Sequence, residues 1–154
     1  MSEVDHVAAE KTYRAIGRFI FEFSQAEYTI RHYLAQEIEL AEEHFVAVIE
    51  SYDVALLCTV ANEVFGKSRA NTNAAAIKEL INNFRELNNN RNRVAHGLWV
   101  PFKDGGIVHH VPRNLKSRST AANQAAALEK LADEACNLRA ELERAFSYTP
   151  PWWP

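Results

Sequence analysis

Arg91 and His96 stand five positions apart in the segment Asn88-Asn89-Asn90-Arg91-Asn92-Arg93-Val94-Ala95-His96-Gly97. An arginine guanidinium never loses its charge, and its planar fork matches phosphate oxygens. A histidine imidazole titrates near neutrality, so it can take a proton from a ribose 2′-hydroxyl or give one to a leaving oxygen. Together the two residue types suit phosphodiester cleavage in RNA, with Arg91 holding the charge that grows in the transition state. At ~100° per residue their side chains lie about 140° apart on a helix. They therefore converge on one small anion only near a helix end, or when a second copy brings its own pair. Asn92 and His96 are four apart and share a face. The sequence has no Asp/Glu/His cluster with metal-ligand spacing, so neither a metal nor another cofactor is expected.

The elements that must position this segment are helical. Ile16, Phe19, Ile20, Phe23, Ile30 and Leu34 recur at three and four, which predicts an amphipathic helix from about Asp5 to Leu40. Gly17 weakens it slightly and allows a neighbouring helix to come close. A short helix is expected over Glu42 to Glu50. The next, with Ser51 as its cap, turns Val54, Leu57, Cys58, Ala61, Val64 and Phe65 inward and stops at Gly66. Asn71 and Asn73 offer caps for a long helix with the stripe Ile77, Leu80, Ile81, Phe84, Leu87, Val94 and Ala95. Gly97 is its stop. On this helix Arg91 falls on or beside the apolar stripe, a costly place for a charge unless it is paired or faces a site.

After Gly97 the pattern changes. Leu98 to Phe102 and Ile107 to Val111 flank Lys103-Asp104-Gly105-Gly106, which predicts a short β-hairpin near residues 98–111, with Pro101 at an edge. Ser119 or Thr120 caps a last helix, whose stripe is Leu128, Leu131, Ala135, Leu138, Leu142 and Phe146. The chain thus reads as all-α: about five helices with a hairpin insertion, one domain over 1–148, and a Pro/Trp C-terminal tail over 149–154 that proline keeps from being helical. Two tryptophans there are expected to pack on the body or on a second subunit.

Supporting residues follow from the same geometry. Phe23, Glu27, Ile30 and Leu34 step along one stripe, so Glu27 is a carboxylate on the buried side and is expected to reach Arg91 across the bundle. Arg93, Lys103, Arg113, Lys116 and Arg118 are candidates to flank an RNA path. The charge distribution agrees: Lys and Arg number 7 against 13 Asp and Glu up to Phe84, 7 against 2 from Arg85 to Arg118, and 3 against 5 from Ser119 onward. Only the middle region welcomes an anion, and a net charge of −3 spreads no global basic field. The two cysteines lie far apart in apolar helical stretches, as buried free thiols would. There is no basic start before an apolar run and no apolar stretch of ~20 residues, so neither a secretory signal nor a membrane span is expected, and a cytoplasmic location is.

Arg91-Asn92-Arg93-Val94-Ala95-His96 resembles the R-x4-6-H motif of the HEPN superfamily, including the polar residue after the arginine. The resemblance implies a helical bundle that forms a homodimer, with two motifs meeting in the dimer cleft to cut RNA without metal. It also implies Arg91 and His96 as catalytic, Asn92 as the polar residue that orients the site, and a setting in toxin–antitoxin pairs or phage defence, with an antitoxin as a possible partner protein. Leu98 stands where many toxin members carry a tyrosine, so no activity resting on that tyrosine carries over. A second reading takes the same residues as holding together a non-catalytic HEPN-like dimerisation or interaction module. A third is a helical bundle that binds a small ligand.

Overall fold

The computed structural model describes residues 6–68, 73–102, 105–109 and 124–146, with backbone alone at 98–102 and 105–109. Among the described residues there are five α-helices packed around one apolar core: α1 (His6–Glu37), α2 (Glu42–Phe45), α3 (Val54–Lys67), α4 (Ala74–His96) and α5 (Gln124–Phe146). None of them is long and apolar enough to cross a membrane.

Helix α1 is the spine. Its 32 residues span about 48 Å. Phe19, Phe23, Ala26, Ile30 and Leu34 are sealed from solvent at the three-and-four spacing, and Thr12, Ala15 and Tyr33 complete the face. Helix α1 packs most closely against α5. Arg18 reaches Glu129 and Asp133 near the start of α5, while Tyr33 stacks on Phe146 at its end, centroids 4.0 Å apart. The two helices therefore run in the same direction. Gly17 does not serve as a crossing point within the chain: nothing lies within 4 Å of where its Cβ would be, and its side of α1 faces solvent.

Helix α1 ends in a two-bond cap without glycine. Leu40 N–H donates to Ala35 O at 2.9 Å and Glu39 N–H to Gln36 O at 3.0 Å, with Glu39 at φ 52°. This is the bond pattern of a helix closed by a left-handed residue. For a residue with a Cβ that conformation costs about 1–2 kcal/mol.

The expected short helix is present in two parts, because α2 passes at Val46 into a π-helical turn ending at Glu50. The next helix is capped by Asp53 rather than Ser51: Asp53 Oδ1 accepts from Leu56 N–H at 2.8 Å, whereas the Ser51 hydroxyl donates back to Val48 O. The chain must first turn through Tyr52 before it is extended, and only Asp53 has the extended backbone (φ −69°, ψ 167°) that aims a side chain at the free N–H groups. Gly66 lies within α3, which runs one residue further to Lys67.

Helices α3 and α4 are antiparallel neighbours. Asn62 donates to Asn82 at 3.2 Å and Arg85 to Thr59 at 3.3 Å. Asn73 occupies the start of α4, and Gly97 ends it. Gly97 has extended backbone (φ −80°, ψ 149°), not the left-handed form, so the chain passes straight into β1 (Leu98–Phe102). β1 pairs antiparallel with β2 (Gly105–His109), Leu98 opposite His109 and Phe102 opposite Gly105. Both strands lie against α1, and β2 also against α5. Of the region read as a hairpin, 103, 104, 110 and 111 lie outside the described residues, as do Ser119, Thr120 and the tail 149–154.

The core joins all the long helices. Phe23 stacks on Phe84 at 4.7 Å and 18°, and Phe146 bridges Tyr33 to Phe65. Each such ring, fully buried, contributes roughly 1.5–3 kcal/mol through the area it removes from water. On α4 the stripe is buried from Ile77 to Leu87 and again at Val94, but Ala95 is exposed. The reason is register: the α3–α4 bonds bring Val54, the first residue of α3, level with Asn90. Residues 91–96 run on past the start of α3.

Candidate active site on the last turns of α4

Arg91 is half-buried on the core-facing side of α4. Its guanidinium carbon lies 5.7 Å from the centroid of the Phe23 ring, and Nη1 donates to Asn92 Oδ1 at 3.0 Å. The ring face carries partial negative charge, so it favours the cation where water is scarce. Asn92 takes up one edge of the fork. Among the described residues no carboxylate pairs with Arg91.

His96 closes the helix and is exposed, as are Arg93 and Ala95 beside it. Asn92 is half-buried on the face it shares with His96. Asn88 lies one turn back, four residues from Asn92, and its Oδ1 is buried with no hydrogen-bond partner among the described residues. An amide oxygen three residues before a guanidinium is a second acceptor on the same helix face. The face that opens beyond the start of α3 therefore carries a fixed cation, two amides and a free imidazole.

Glu27 does not join this set. Its carboxylate is bound to Arg31 through two donors, Nε at 3.1 Å and Nη2. Arg31 in turn donates to Ile49 O and, at 2.8 Å, to Tyr52 O. The expected contact with Arg91 is lost because a partner four residues along the same helix is nearer than one across the bundle. The carbonyls at the end of the π-helical turn then hold Arg31 in place, since buried acceptors need a donor. Glu27 supports the junction of α1 with the segment before α3, and what lies under Arg91 is the ring of Phe23. The stripe that places Phe23 beside Glu27 carried the signal for this: an aromatic one turn before a buried carboxylate is an equal candidate to meet a cation.

Arg93 is exposed on the outer face of α4, away from Arg91. Lys103, Arg113, Lys116 and Arg118 lie outside the described residues. Cys58 is fully buried, and burial pushes its thiol above the ordinary range despite the nearby Arg85, so it is a packing residue and not a nucleophile. Among the described residues no three His, Cys, Asp or Glu side chains are grouped as metal ligands would be.

No family model matches the chain, and no curated protein or solved structure matches it either.

Proposed function

We propose that this protein is a metal-independent endoribonuclease of the HEPN type, with Arg91 and His96 as its reacting pair. The observation that carries this reading is a half-buried guanidinium held by an aromatic ring and an amide, with no carboxylate to neutralise it, five residues from an exposed histidine. A cation kept in place without a counter-charge is prepared for an anion, and the phosphodiester is the anion whose cleavage also needs a proton carrier. Arg91 holds the non-bridging oxygens as the 2′-hydroxyl attacks phosphorus. His96 moves the proton, and the 5′ oxygen leaves with a 2′,3′-cyclic phosphate on the other fragment. Because the two side chains point about 140° apart, a homodimer that sets two α4 ends side by side gives each phosphate an arginine from one copy and a histidine from the other. Such an enzyme, in the cytoplasm, suits toxin or phage-defence work, where an antitoxin would cover the same end of α4.

The test is cleavage of single-stranded RNA by purified protein in EDTA, with end-group analysis. Expected are 2′,3′-cyclic phosphate and 5′-hydroxyl ends, and loss of activity in His96→Ala with an unchanged melting curve, since His96 is exposed. Wild-type activity no greater than that of His96→Ala would overturn the reading.

One observation favours the second reading, a non-catalytic interaction module. The outward face of α1 exposes Tyr13, Phe21 and Tyr28, large apolar groups on the side opposite the core stripe. A folded dimer without RNA cleavage is its signature.

A further inference from the structure

A groove of about 610 Å³ lies where the end of α1 meets α2, lined chiefly by Tyr28, His32, Leu40, Phe45 and Val46, with Glu39 and Glu42 at its rim. Its walls are aromatic: the Tyr28 ring lies 6.4 Å from His32, nearly parallel, and 6.1 Å from Phe45, edge on. Val46 is 66 % exposed and Tyr28 42 %, a large apolar surface to leave in water. The last described residue, Phe146, is packed on Tyr33, the chain neighbour of His32. Eight residues follow it, Ser147-Tyr148-Thr149-Pro150-Pro151-Trp152-Trp153-Pro154. At ~3.3 Å per residue, six of them reach about 20 Å, enough to pass around α1 from Tyr33 to Tyr28 and Phe45.

We infer that residues 150–154 of the same chain dock in this groove, with Trp152 or Trp153 between Tyr28, Phe45 and Val46. The chemistry of the two surfaces matches. Proline-rich segments are extended before they bind and are taken up by aromatic-lined grooves, since little chain entropy is lost. Each indole is a large apolar group with one N–H donor that needs an acceptor once buried. The rim offers carboxylates at Glu39 and Glu42 and an amide at Gln36. The segment itself carries no charge from Ser147 to Trp153, so nothing opposes its approach to these acidic residues. Docking in cis also follows from the anchor: Phe146 holds the start of the segment beside the groove, so its local concentration there far exceeds that of a second copy.

The full-length Trp99→Phe protein tests this, because its only tryptophans are then Trp152 and Trp153. Expected are blue-shifted indole emission and a several-fold weaker quenching by acrylamide than for free tryptophan, both independent of protein concentration. Adding Val46→Glu should release the indoles, giving red-shifted emission and full quenching. Leu56→Glu, an exposed position on α3, should leave both readouts unchanged. Solvent-exposed emission before any groove substitution would overturn the proposal, as would protected indoles that Val46→Glu fails to release. Protection lost on dilution would overturn it in favour of a groove filled by the tail of a second copy.

Discussion

Arg31 binds Glu27, one turn back on α1, and spends its remaining donors on the carbonyls of Ile49 and Tyr52. One guanidinium thus joins α1 to the end of the π-helical turn and to the approach to α3. The side chains of Arg31 and Glu27 are only 10 % and 20 % exposed, so removing either leaves a nearly buried charge. Arg31→Ala should destabilise the fold by about 3–5 kcal/mol. Glu27→Gln should cost less, because the amide oxygen still accepts. In neither variant should the specific activity of the folded fraction fall, which chemical denaturation and RNA cleavage on the same sample would check.

At Arg91 the planar fork matters more than the charge. Arg91→Lys keeps the charge but loses the geometry that engages Asn92 and phosphate together. Losing a charge-stabilising donor costs about 10²–10³-fold, and losing a general acid–base about 10²–10⁴-fold. Arg91→Lys and His96→Ala should each bring cleavage near background, and the double variant should be no worse than the weaker single one, because both residues act on one transition state. Additive losses in single-turnover cleavage would show separate roles.

Phe23 serves both the core and the site, as it stacks on Phe84 and lies under Arg91. Phe23→Leu should lower stability by about 1–3 kcal/mol. It should also reduce cleavage by the folded protein about 2- to 5-fold, the equivalent of an exposed-to-partly-buried ring–cation contact of about 0.5–1 kcal/mol. Phe19→Leu is the control, since Phe19 is equally buried but touches Phe23 edge on. It should lower stability alone.

Helix α3 provides a comparison of two adjacent candidates for one cap. Asp53→Ala removes the acceptor for Leu56 N–H and should cost about 1 kcal/mol. Ser51→Ala removes only a hydroxyl bonded back to Val48 O and should be near neutral. Urea midpoints of the two variants, at unchanged slope, decide the matter.

Burial lowers the pKa of His32 below its ordinary value. The unfolded chain therefore takes up a proton at this site before the folded one does. The contribution of neutral His32 to stability is complete above the unfolded pKa of about 6.5 and is lost as pH falls below it toward the folded value. Melting temperature should fall between pH 7.5 and 5.5, and His32→Gln should flatten that fall.

Sequence alone determined the helices and their inward faces. Phe19, Phe23, Ile30, Leu34, Ile77, Ile81, Phe84 and Leu142 were marked by spacing, and all are buried, because a period near 3.6 leaves a helix one way to hide its apolar atoms. It also placed Arg91 beside the apolar stripe and His96 at the end of its helix. Tertiary structure decided who meets whom. Spacing puts Glu27 on a face but does not say whether Arg31 or Arg91 is nearer, and carbonyls from a separate turn settled that choice. The cap at Asp53 and the left-handed Glu39 depend on how the chain turns between helices, where backbone angles follow packing as well as residue type. The exposure of Ala95 and His96 depends on where α3 begins relative to α4, a register between two helices that neither one's own periodicity contains.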